Sequence, residues 1–103
     1  MDLQSIELKH RVSERLGQVI DPETGVDVMR MRLIEDLVVD ARSGSVSYKF
    51  RPSSPLCPLA VHLALSIQRA VAEVPGVTEQ KIEVVGYVGA ESLNALLLEE
   101  AQG

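Results

Sequence analysis

Cys57 is the only cysteine of the chain, and it stands in the run Arg51-Pro52-Ser53-Ser54-Pro55-Leu56-Cys57-Pro58-Leu59-Ala60. The residues before this run alternate as a strand does, and those after it repeat as a helix does. Cys57 is therefore expected at a strand-to-helix junction, followed by a proline that suits the first helical position. Backbone N–H groups at a helix start lack partners and carry partial positive charge, which favours thiolate over thiol. Pro55 and Pro58 would hold such a thiol rigidly and present it, and Ser53 and Ser54 are placed to cap the helix. A presented thiolate can bind a soft metal or attack an electrophile. The same residue type is also a common small buried hydrophobe.

The second candidate group lies upstream, in Ile20-Asp21-Pro22-Glu23-Thr24-Gly25-Val26-Asp27-Val28. Pro fixes φ, Asp accepts from backbone N–H groups further along, and Gly tolerates positive φ, so this is turn chemistry. Asp21 reads as a turn or N-cap residue on those grounds. The sharper reading sets Asp21 and Glu23 in one cleft with Cys57, where their oxygens could support or complete a ligand set.

The residue inventory limits the chemistry. A closed zinc site takes four ligands and an iron–sulfur cluster normally takes four thiolates, which one cysteine per chain cannot supply. Either a symmetric dimer brings two copies of Cys57 to one centre, or cargo is held transiently while a partner completes the shell. A thiol enzyme would need a base behind the nucleophile. His62 falls on the flank of the following helix and His10 among charged residues, so both are expected on the surface. No glycine-rich phosphate loop occurs.

The elements that must position these residues follow from hydrophobic spacing. Leu8, Val12, Leu16, Val19 and Ile20 form one helical stripe, with Asp2 or Ser5 as cap and Gly17 as stop. Leu33 to Asp40 reads as a strand, and Asp40 to Gly44 as a hairpin loop. Ser45 to Phe50 alternates with period two, turning Val46, Tyr48 and Phe50 to the core. Leu59, Ala60, Leu63, Ala64, Ile67, Ala70, Val71 and Val74 mark the strongest helix, ended by Pro75-Gly76. Thr78 to Val85 is a third strand, parallel to the second through the crossover helix. Ser92 to Glu99 is a short last helix whose leucines exceed one docking face and suggest a partner contact. The expected fold is α+β, in the order α-β-β-α-β-α. A mixed three-stranded sheet is covered by helices in one domain over residues 1–103.

Composition narrows the class. Hydrophobic residues make up 46% of the 103 and charged residues 24%, so the chain can build a core. A chain this short buries only about 60–65% of its unfolded surface, so a homodimer that covers more apolar area would be unsurprising. A net charge of −5 with only 3% aromatics argues against nucleic-acid binding. The acidic, polar N-terminus is unlike a secretory signal, and no apolar run is long enough to span a bilayer. With a lone cysteine, these features point to the cytoplasm.

Two motifs then resemble one family. Asp21-Pro22-Glu23, followed by Gly25 and Val26-Asp27-Val28, looks like its Asp-Pro-Glu segment. Ser53-Ser54-Pro55-Leu56-Cys57-Pro58-Leu59 looks like its Thr-x-Pro-x-Cys-Pro segment, and Val74-Pro75-Gly76-Val77 like its helix-ending turn. The family is that of small iron–sulfur assembly proteins with SufT-type and PaaD-like domains, and the similarity runs from about Leu16 to Val85. The chain departs from it at Ser53, where members have threonine, and at Met31-Arg32, where they often have Leu-Gly. Its tail from Gly86 to Gly103 also lacks the aromatic, proline-rich character of relatives.

The resemblance implies a carrier or adaptor in iron–sulfur protein maturation rather than an enzyme. Cys57 would be a transient ligand for iron or a cluster, supported by Asp21 and Glu23, with assembly machinery and apo-protein recipients as partners. The alternative is a metal-free adaptor acting through the sheet and the C-terminal helix. That reading expects a charge at Leu97 to abolish partner binding.

Overall fold

A computed structural model describes residues 3–102. The elements run α1 (Leu3–Leu16), β1 (Ile34–Asp40), β2 (Ser45–Phe50), α2 (Ala60–Ala72), β3 (Glu79–Val84) and α3 (Ala90–Gln102). The α+β architecture and the α-β-β-α-β-α order agree with the sequence reading. β2 lies at the centre of the sheet, antiparallel to β1 and parallel to β3.

The period-two pattern of β2 fixes which face is buried. Val46, Tyr48 and Phe50 are all buried while Ser45, Ser47 and Lys49 stay half-exposed. α1 packs on β1 and α2, α2 also on β3, and α3 on β3 and α2. Leu8, Val12 and Leu16 of α1 and Leu63, Ile67 and Val71 of α2 fill the space against that face. On the other face Glu79, Lys81 and Glu83 of β3 are exposed, as is Val38 of β1.

β1 keeps its inside–outside phase only through a bulge. Glu35 pairs with Lys49 and Val38 with Ser47, so Asp36 and Leu37 together oppose Tyr48. The extra residue is accommodated at Asp36, whose φ is 53°; a short polar side chain tolerates that left-handed region better than most. The turn into β2 ends at Gly44 with φ 70°, where an added Cβ would lie 2.6 Å from Thr78 Oγ1. Only glycine fits there.

Several helix boundaries differ from expectation. α1 ends at Leu16, and Val19 and Ile20 leave the helical stripe to form a bridge between Ile20 and Asp27. Ser5 is not a cap: it is buried inside α1, and its Oγ accepts the Ala41 N–H at 3.0 Å, tying the helix to the β1–β2 turn. Asp2 lies outside the described residues. α3 starts at Ala90 and runs to Gln102, longer than the leucine spacing indicates. Of its leucines, Leu93 and Leu97 are buried and Leu98 is 61% exposed.

A polar strut crosses the core. Tyr48 donates its hydroxyl to Gln80 Oε1 at 2.9 Å, and Gln80 Nε2 donates to the Gln68 carbonyl at 2.6 Å. Gln68 Nε2 in turn donates to the Leu97 carbonyl at 2.8 Å, joining α2 to α3. Burial pushes the Tyr48 phenol well above its ordinary value of 10.0. A phenol that ionises more easily unfolded than folded stabilises the fold below pH 10 and loses that contribution as pH rises further. Stability should therefore fall above pH 10 by up to about 1.4 kcal/mol per pH unit from this group. Urea midpoints of the native chain and Tyr48→Phe from pH 9 to 11.5 check this: the variant's profile should be flatter by that slope.

Candidate functional site

The strand directions gather three connections at one end of the sheet. Ile34 at the start of β1, Phe50 at the end of β2 and Val84 at the end of β3 lie side by side. Residues 51–59 leave here for α2, residues 85–89 leave for α3, and residues 17–33 arrive from α1. Ligand sites of open sheets form at the carboxyl ends of parallel strands for this topological reason.

Backbone hydrogen bonds fasten both candidate segments to this end. Val28 N–H donates to the Val19 carbonyl at 3.0 Å, Leu33 N–H to the Val28 carbonyl at 3.0 Å, and Arg51 N–H to the Leu33 carbonyl at 2.8 Å. The Asp21 turn hangs from the first of these bonds and the Cys57 loop begins at the last. Arg32 adopts φ 59°, the left-handed region that glycine enters most freely. The backbone thus keeps a glycine-like path at that point despite the side chain.

Cys57 differs from expectation in two ways. α2 begins at Ala60 with Leu59 as its N-cap and no side-chain cap, so Pro58 is not its first residue and Cys57 lies outside the helix start. The thiol is also not presented, for Cys57 is 3% exposed and belongs to the hydrophobic core cluster. Its neighbours Ser53, Ser54, Pro55, Leu56 and Pro58 are all exposed. The loop is thus a surface loop with its one thiol turned inward.

Ser54 explains the local geometry. Its carbonyl accepts the Cys57 N–H at 3.1 Å and its Oγ accepts the Leu56 N–H at 3.2 Å, closing a tight turn. Ser54 caps this turn rather than α2, and Ser53 is exposed beside it. One long-range hydrogen bond holds the loop down: Val88 N–H donates to the Pro55 carbonyl at 2.9 Å. The β3–α3 connection is therefore a strap over the Cys57 loop. In sequence it shows only as a break at Gly86-Tyr87-Val88-Gly89, and nothing local signals its partner.

Asp21 behaves as a turn residue. Its Oδ1 accepts the Glu23 N–H at 2.8 Å, its carbonyl accepts the Gly25 N–H at 2.8 Å, and its own N–H donates to the Val26 carbonyl at 3.0 Å. Gly25 takes φ 71° to close the turn. Asp21 is 1% exposed while Glu23 is exposed, so the two carboxylates do not line one cleft as a pair. His62 is exposed, and His10 is exposed and paired with Glu14 at 3.0 Å. Among the described residues no three His, Cys, Asp or Glu side chains gather as a metal-binding set.

Both motif segments are thus fastened to one end of the sheet. The model of the family described as "Iron-sulfur cluster assembly protein" matches residues 9–84. The chain belongs to this family. An uncharacterised protein of Methanocaldococcus jannaschii is 33% identical over 92 residues, covering 89% of this chain and 96% of its own length. The Fe-S protein maturation auxiliary factor YitW of Bacillus subtilis is 32% identical, covering 76% of each chain. An iron-sulfur cluster carrier protein of Deinococcus radiodurans is 34% identical over 82 residues, 79% of this chain but 23% of that larger one. The crystal structure of a DUF59 domain from Bacillus anthracis superposes with a TM-score of 0.71 at 27% identity. It covers 79% of this chain and 76% of that one. The family match spans both motifs, the Asp21 turn and the Cys57 loop, and stops at the end of β3. The strap and α3 lie beyond it.

Proposed function

We propose that this member of the iron–sulfur assembly family acts stoichiometrically, as a carrier or targeting factor and not as an enzyme. In this reading Cys57 supplies one thiolate to iron or a cluster shared with a second protein. Asp21 shapes the site by holding the turn, and Glu23 stands at the rim as an additional oxygen donor. The observation that carries the reading is the fastening of both family motifs to one end of the sheet by the Val19–Val28–Leu33–Arg51 ladder. One thiol per chain fits a single ligand to passing cargo, since a resident cluster normally takes four. The partners would be the assembly machinery that loads the cargo and the apo-proteins that receive it. A buried thiol suits this role because it is shielded from oxidation until the loop is moved. A lone free cysteine also suits a reducing cytoplasmic setting. No helix of the described residues is long and apolar enough to cross a membrane.

Anaerobic reconstitution with iron and sulfide tests the reading. The native chain should take up a chromophore and iron, and Cys57→Ala should take up little of either. Iron and chain mass measured together show whether two chains share one centre. Equal uptake by both proteins, or none by the native chain, would remove the carrier reading.

A further inference from the structure

Arg51 follows the last residue of β2 and opens the Cys57 loop, with Pro52 after it. A residue before proline is held to extended backbone, so Arg51 continues the parity of the strand. Its side chain joins that of Lys49 on the sheet face turned away from the core. Glu35, which pairs with Lys49 from β1, accepts the Arg51 Nε–H at Oε2, 2.9 Å away.

On its other side Arg51 lies against the strap. Phe50 pairs with Val84, so Arg51 stands level with Val85 and Gly86. Gly86 has φ 64°. A Cβ added there would collide with Arg51 Nη1 and sit 3.3 Å from its Cγ and 3.4 Å from its Cζ. The arginine thus fills the space that a side chain at 86 would take. From the central strand it reaches both Glu35 near the start of β1 and Gly86 beyond the end of β3.

Gly86 is the joint of the strap. Before it, Val85 N–H donates to the Phe50 carbonyl at 3.0 Å, and Asn94 of α3 clasps both backbone groups of Val84 at 2.7 and 3.2 Å. After it, Ala90 N–H donates to the Tyr87 carbonyl at 3.1 Å and Leu93 N–H to the Gly89 carbonyl at 3.0 Å. Residues 87–89 are therefore tied to the start of α3. Gly86 lies between these ties, and its dihedral angles set where Val88 N–H points. A glycine leaves one backbone region for another at little cost unless something lies on it. Arg51 lies on it.

We infer that Arg51 is the positioning residue of the strap. Backed by Glu35, it keeps Gly86 in the conformation that sets Val88 N–H on the Pro55 carbonyl, and so holds the Cys57 loop shut. The inference concerns access to the thiol and stands with or without metal there.

Iodoacetamide labelling of Cys57 in the full chain tests it. At low salt Arg51→Ala should be labelled about two- to fivefold faster than native, the range that an exposed ion pair supplies. The Val88 amide should exchange with solvent faster by the same factor. Raising NaCl from about 20 mM to about 0.5 M should shrink the difference, because salt screens the native pair. Thr78→Val removes a hydrogen bond of comparable worth, from Thr78 Oγ1 to the Ser43 carbonyl at the far end of the sheet, and should leave labelling at the native rate. Gly86→Ala separates contact from strain. The cost of positive φ for alanine is the same in both backgrounds, so the acceleration it causes should be at least about twofold larger with Arg51 present than in Arg51→Ala. Labelling of Arg51→Ala at the native rate overturns the inference. So does equal acceleration by Thr78→Val, or an equal effect of Gly86→Ala in the two backgrounds. These readouts involve no iron, so the carrier reading can fail while this one holds, and the reverse.

Discussion

Iodoacetamide should label Cys57 in the native fold at least about a hundredfold more slowly than in the chain unfolded by guanidinium at the same pH. Cys57 is 3% exposed, so alkylation waits for an opening of its loop. Local openings cost anything from nearly nothing to the full stability of the domain, and a hundredfold protection corresponds to roughly 3 kcal/mol. The turn bonds within 54–57 can travel with the loop as it lifts, whereas the bond from Val88 N–H to the Pro55 carbonyl must break. Val88→Pro removes that donor at an exposed turn position that a proline suits. Since one such bond contributes about 0.5–1.5 kcal/mol net, labelling of the variant should run roughly three- to tenfold faster than native. A native chain labelled as fast as the unfolded one would show that the loop stands open in solution. Protection relieved by Val88→Pro would show that thiol exposure is controlled by the β3–α3 connection, outside both family motifs.

The parts legible in the sequence are those whose physics is local. Val46, Tyr48 and Phe50 alternate because one face of β2 is buried and the other is not. Leu63, Ile67 and Val71 repeat because one side of α2 meets the sheet. Asp21-Pro22-Glu23-Thr24-Gly25 spells its turn through the conformational limits of Pro and Gly. What stayed hidden depends on distant partners. Ser5 reads as a cap by type, yet its Oγ is used by Ala41, 36 residues away. Pro58 reads as a first helical residue, but the turn closed by Ser54 postpones α2 to Ala60. The bulge at Asp36 and Leu37 falls where Glu35-Asp36 interrupt the apolar residues, and those residue types do not say which position is the extra one. The burial of Cys57 could not be read from its neighbours, because they are themselves exposed. In each case a long-range contact selected among local options that the residue types left open.

The C-terminal helix supplies the other large effect, and it separates fold from interface. Leu97→Lys is expected to destabilise the domain by at least about 3 kcal/mol, and Leu98→Lys to change its stability by no more than about 0.5 kcal/mol. The two residues are adjacent, but Leu97 is 1% exposed and Leu98 61%. An ammonium group at Leu97 would lose its hydration inside a packed core, a penalty of several kcal/mol, and would also forfeit the leucine's own burial. Against a total stability of about 5–15 kcal/mol for such a domain, that is a large share. Urea unfolding followed by circular dichroism distinguishes the two variants, and equal midpoints would mean that α3 is not docked as described. Loss of partner binding in a Leu97 charge variant thus reports on the fold, and a docking face on α3 is probed through Leu98. The helix is also continuous with the strap that holds the Cys57 loop. A charge at Leu97 that loosens α3 should therefore speed the alkylation of Cys57, while the same charge at Leu98 leaves that rate unchanged.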